Sequence, residues 1–136
     1  MFETRYERLV GNVGSANTLS SSVALGRNIK ALARKYPLDA SGRFGTKDIG
    51  SQVIFTENPL ATAQDMVSQL TIGGKLKSSS TDSVKIFKFP GTKETVVFRP
   101  QSDHGSPAIS INSKSHFGRE YKIHFVKPGA NLGANK

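Results

Sequence analysis

The chain contains no cysteine, which removes disulfides, thiolate nucleophiles and thiolate zinc sites together. Long apolar runs are missing as well. None approaches the roughly 20 residues that cross a bilayer, and Met1-Phe-Glu-Thr-Arg-Tyr-Glu-Arg8 lacks the charged-then-apolar layout of a signal peptide. The expectation is a soluble chain with no membrane partner. Signatures of several enzyme classes are absent too: there is no Gly-Lys-Ser/Thr phosphate loop, dinucleotide fingerprint, His-Glu-x-x-His or Gly-x-Ser-x-Gly.

Acid is scarce. Against 19 Lys+Arg stand 10 Asp+Glu, a formal net charge of +9. The surplus is uneven: residues 1–72 carry 8 basic and 6 acidic side chains, residues 73–136 carry 11 and 4. A positive field gathered on one half of a chain draws polyanions, nucleic acid first and acidic protein next.

At 136 residues the chain is long enough to close one hydrophobic core without cross-links. Residues 1–19 read as a short helix and a loosely ordered lead-in. Val23, Leu25, Ile29, Leu32, Ala33 and Tyr36 fall near helical spacing, which predicts a helix from Ser21 to Tyr36, stopped by Pro37. Leu38 to Gly50 has no period and reads as a surface loop, whose Ser41-Gly-Arg-Phe-Gly45 offers a weak phosphate signal. Ser51 to Thr56 is a short extended run. Asn58-Pro59 marks a helix start, with Asn capping and Pro at the first turn. That helix buries Ala63, Met66, Val67 and Leu70 as one stripe and closes at Gly73-Gly74.

Lys75 to Asp82 then reads as a mobile basic turn. Four strands follow: Ser83 to Phe89, Thr95 to Arg99, Ala108 to Ile111 and Tyr121 to Val126. Their short connections predict an antiparallel meander. The expected fold is α+β, with N-terminal helices followed by a four-stranded antiparallel sheet that one helix covers on one face. By segments, 1–50 is a helical and loop region, 51–127 the helix-and-sheet core and 128–136 a flexible tail.

Alternation along the strands places Arg99, Lys122, His124 and Lys88 away from the core, on a face left open to solvent or ligand. Three histidines, His104, His116 and His124, lie 12 and 8 residues apart with no carboxylate cluster, a poor metal set. They suit metal-free RNA cleavage, in which the 2′-hydroxyl attacks the neighbouring phosphorus. Histidine near its ordinary pKa transfers the protons, and arginine grips the phosphate oxygens as charge develops. The candidate catalytic set is His124, Arg99, His104 and His116. Lys122, Ser106, Ser102, Lys88, Lys75 and Lys77 are candidate RNA contacts, and Phe117 a candidate for base stacking. No cofactor is called for. Against each role stands a plain one: Arg99 could pair with Glu94 or Asp103, and His124 could be an ordinary half-exposed strand residue.

The run Phe98-Arg-Pro-Gln-Ser-Asp-His-Gly-Ser-Pro-Ala-Ile-Ser-Ile-Asn112, followed by Tyr121-Lys-Ile-His-Phe125, resembles the strand-turn-strand of the ribonuclease fold shared by barnase, EndoU, colicins E5 and D, and RelE. Within that group the chain is most similar to C-terminal toxin modules of contact-dependent growth inhibition and other polymorphic toxin systems. The resemblance covers about residues 52–126. It implies a toxin that cleaves RNA, often tRNA, without metal in the target-cell cytoplasm, after delivery from the producing cell. It further implies a cognate acidic immunity protein and allows for a host translation factor. Residues 1–50 would then be a delivery segment or a support for the nuclease-like core. Two other readings stay open: a non-catalytic nucleic-acid-binding module, and a metal-dependent DNase.

Overall fold

The structure is a computed structural model that describes residues 24–48, 50–102, 105–113, 117 and 120–129. The class is α+β, but the sheet is larger than four antiparallel strands. Among the described residues seven strands form it: β1 (Thr46–Asp48), β2 (Ser51–Phe55), β3 (Lys75–Leu76), β4 (Lys85–Lys88), β5 (Thr95–Arg99), β6 (Ala108–Asn112) and β7 (Tyr121–Val126). They lie in the order β1-β2-β7-β6-β5-β4-β3. The expected meander survives as β4 to β7. The chain adds β3 at one edge and the β1–β2 hairpin at the other, with β2 parallel to β7 and every other pair antiparallel. The sheet is therefore mixed.

Two helices pack on one face. The described part of α1 covers residues 24–32, and α2 runs Pro59–Leu70. Ala63, Met66, Val67 and Leu70 are the buried residues of α2, as their spacing predicts. Burial of each of the three larger ones contributes on the order of 1.5–3 kcal/mol. The cap differs from expectation: Asn58 makes no side-chain capping bond. Instead the Thr56 hydroxyl accepts the Asn58 N–H at 3.3 Å and pairs with Thr62 Oγ1 at 2.7 Å. At the other end the chain turns through Gly73, at φ 87°, a conformation that suits glycine.

The helices meet Val96, Phe98, Ile109, Ile111, Tyr121, Ile123 and Phe125 of β5 to β7 in one core, which also takes in Leu25, Ile29, Leu32 and Phe44. Residues before Gly50 thus share core and sheet with those after it. Buried Asn28 joins the two helices by donating Nδ2 hydrogens to the carbonyls of Leu70 (2.7 Å) and Ile72 (2.9 Å). On the surface, Lys35 Nζ and the Tyr36 hydroxyl both reach Asp65 Oδ2 at 2.8 Å. The Lys35 hydrogen bond is the largest influence holding the Asp65 carboxyl below its ordinary pKa.

The stretch expected to be a surface loop is anchored. Phe44 is fully buried, Leu38 and Phe44 form a β-bridge, and Thr46–Asp48 enters the sheet. Gly45, at φ +88°, lies so close to β2 that a Cβ there would stand 2.5 Å from the Val53 carbonyl oxygen. Only a residue without a side chain allows that approach. Among the described residues no helix is long and apolar enough to cross a membrane. The lead-in before residue 20 lies outside the described residues, as does most of the tail.

Candidate functional site

Register decides what shares the face away from the helices. The core-facing residues of β5, β6 and β7 fix the alternation, so Thr95, Val97 and Arg99, Ala108 and Ser110, and Lys122 and His124 point the other way. Arg99 pairs with Ala108, Ala108 with His124, and His124 with Val53. The four form one row across the sheet. Because adjacent strands lie about 4.8 Å apart, the Arg99 and His124 backbones are separated by about 10 Å, with Ala108 between them in the row. Two long side chains flanking alanine can converge on one small group.

Ser106 completes the cluster. Its hydroxyl lies 3.2 Å from His124 Nδ1, while the Phe125 N–H bonds the Pro107 carbonyl at 3.0 Å and fixes the chain beside β7. A hydroxyl both donates and accepts, so Ser106 can serve either protonation state of the ring. The turn itself is closed by Ser102 N–H to the Ser106 carbonyl (2.9 Å) and Gly105 N–H to the Ser102 carbonyl (2.8 Å). Among the described residues Ser102 Oγ is buried with no hydrogen-bond partner. It lines a groove of about 380 Å³ with Asp82, Ser83, Pro100 and Gln101, adjoining the Arg99 end of β5.

The face is less open than its polarity suggests. Val53, Ala108, Ser110 and Val126 are buried, and His124 is 7% exposed.

The cations of this face are well placed for an anion. Lys75 stands opposite Lys88 in the β3–β4 ladder. Lys77 continues the pairing through its N–H to the Ile86 carbonyl at 2.7 Å, which puts all three lysines on the Arg99 face. Lys75, Lys77 and Lys88 are exposed; Arg99 and Lys122 are half-buried. Among the described residues none of the five has an ion-pair partner. The expected pairing of Arg99 with Glu94 does not form, because Glu94 is buried and accepts the Ser113 hydroxyl at 2.6 Å. His104, His116 and Asp103 lie outside the described residues. The structure thus brings together Arg99, His124 and Ser106, sets Ser102 beside them, and places Lys122 on the same strand as His124.

Two other expectations resolve into structure. Phe117 meets Tyr121 edge to face at 4.8 Å and packs against the core. Arg43, of the Gly-Arg loop, donates to the Phe117 carbonyl at 2.9 Å and lies over the Tyr121 and Phe117 rings. A larger cleft of about 840 Å³ opens beside it, lined by Asp39, Arg43, Lys47, Asp48, Gln52 and Glu120 among others. Its charged groups are mostly engaged or of the wrong sign for phosphate. Asp39 accepts from the Ser41 hydroxyl and N–H, the Arg43 N–H and Gln52 Nε2, and the Ser41 hydroxyl above all holds its pKa down to about 2. Burial pushes the Tyr121 phenol up to about 12.

No family model, curated protein or solved structure matches this chain. The reading of the site therefore rests on its own geometry. Among the described residues no three of His, Asp and Glu stand close enough together to hold a metal ion. What the face offers is Arg99 and His124 in one row across the sheet and a margin of exposed lysines.

Proposed function

We propose that this chain is a metal-independent endoribonuclease domain whose scissile phosphate sits between Arg99 and His124. The observation that carries the reading is the row Arg99–Ala108–His124, with Ser106 on the histidine ring. In the reaction the RNA 2′-oxygen bonds to the adjacent phosphorus as the 5′-oxygen leaves. His124 takes the 2′-hydroxyl proton as that bond forms and returns it to the leaving 5′-oxygen, and Arg99 takes the growing charge on the non-bridging oxygens. Ser106 holds the ring, and Lys122 adds positive field from two residues away on β7. Products are a 2′,3′-cyclic phosphate and a 5′-hydroxyl.

The resemblance in the strand-turn-strand motif supports a toxin context: tRNA as the RNA class, delivery into the target-cell cytoplasm, and an acidic immunity protein seated over the basic face. A host translation factor that presents the RNA would fit the same context. The burial of His124 favours a second reading, a non-catalytic RNA-binding module in which the histidine is structural. Incubation with total bacterial RNA in EDTA separates them. The nuclease yields discrete new ends that His124→Ala and Arg99→Ala remove, whereas the binding module yields intact RNA held in a salt-sensitive complex.

A further inference from the structure

Building on that reading, we propose that Phe55 is a nucleobase-stacking residue and that the strand it receives is single-stranded RNA. Phe55 ends β2, where Val53 is buried and Gln52 bonds inward to the Phe44 carbonyl at 3.1 Å. Alternation therefore puts Phe55 on the face of Val53, which is the face of His124 and Arg99. Two residues along β2 from Val53, whose register partner is His124, the ring lies beside the site on its far side from Arg99.

Among the described residues it is the large aromatic side chain on this face that stays in water, 52% exposed. A lone exposed phenylalanine needs no explanation on its own. Here it shares a face with five cations that have no ion-pair partner among the described residues. A positively charged surface that tracks the backbone, joined to an aromatic platform for the bases, is the arrangement that binds single strands, since every base has a π-face. A duplex hides its base faces and could not use the ring. The strand would place a base on Phe55, the next phosphate at His124 and Arg99, and further phosphates toward Lys88, Lys77 and Lys75. Lys75 and Lys77 lie at the other edge of the sheet, about 24 Å across it over five strand spacings, and Lys88 one strand nearer.

The chain has no tryptophan, so Phe55→Trp supplies a single indole reporter. The test titrates this variant with a short 2′-O-methyl RNA, which cannot be cleaved, and with the same oligonucleotide carrying one abasic position moved along its length. Quenching that disappears at one abasic position, together with a 5- to 150-fold weaker Kd for Phe55→Ala, roughly the range for one base stacked on an aromatic ring, is the expected result. Tight binding with no quenching and an unchanged Kd for Phe55→Ala overturns the stacking role while leaving the nuclease reading intact. Stacking without cleavage of ordinary RNA supports the role of Phe55 and refutes the nuclease. Absence of RNA binding by the wild-type protein overturns both.

Discussion

Lys75 and Lys88 stand directly opposite each other in the β3–β4 ladder, two exposed ammonium groups on the edge of the sheet with no carboxylate between them among the described residues. Directly opposed like charges weaken a strand pair, and an opposed ion pair strengthens it by about 0.2–1 kcal/mol. Lysine on an edge strand also deters pairing with other chains, but one lysine would do that. Lys75→Glu should therefore raise the Tm slightly. It should also weaken RNA binding and make the dependence of log K on log salt shallower by about 0.7 for each phosphate the protein ceases to neutralise. A variant that is less stable and binds RNA as before would show that the pair has no role in binding.

Asn28 holds the end of α2 through two buried hydrogen bonds, to the Leu70 and Ile72 carbonyls. Asn28→Ala leaves both acceptors without their donor and should cost about 1–3 kcal/mol in urea unfolding. Asn28→Asp should cost more, because a carboxylate would face those carbonyls. Equal stability of the alanine variant and wild type would mean that water replaces the amide without loss.

The pH dependence of stability has two limbs with different owners. Asp39 has a folded pKa of about 2 against an ordinary 3.8. Its contribution is complete above the ordinary value and is lost as pH falls from about 4 toward 2. Tyr121 runs the other way: the buried phenol keeps its proton to about 12, whereas the unfolded chain releases it near 10. Stability therefore declines between those values. Thermal melts across pH should show Asp39→Asn with a flatter acid limb and an unchanged alkaline one. An unchanged acid limb would assign the acid sensitivity to other carboxylates.

Local pattern carried much of this fold. The α2 stripe is complete in the sequence, and β5 and β7 span Thr95–Arg99 and Tyr121–Val126 as their alternation predicts. The edge strands were hidden because β1 and β3 have three and two residues, too few for a period to develop. The Val53–Phe55 run was visible as extended chain, but its parallel partner begins at Ile123 in register with Gln52, and nothing local announces a pairing so distant. Alternation likewise placed Arg99 and His124 on one face. It could not show that Ala108 lies between them or that Phe55 joins them, since both depend on the order of strands.

The most direct test of the site is the chemistry of the ends it makes. RNA incubated with the protein in EDTA is analysed by mass spectrometry, beside His124→Ala, with binding of the 2′-O-methyl RNA measured for both proteins. The wild type should give 2′,3′-cyclic phosphate and 5′-hydroxyl termini, and the His124→Ala protein should bind within a few-fold of wild type but yield none of these ends. Wild-type levels of cleavage by His124→Ala, or no cleavage by a wild-type protein that binds RNA, would contradict this reading of the site.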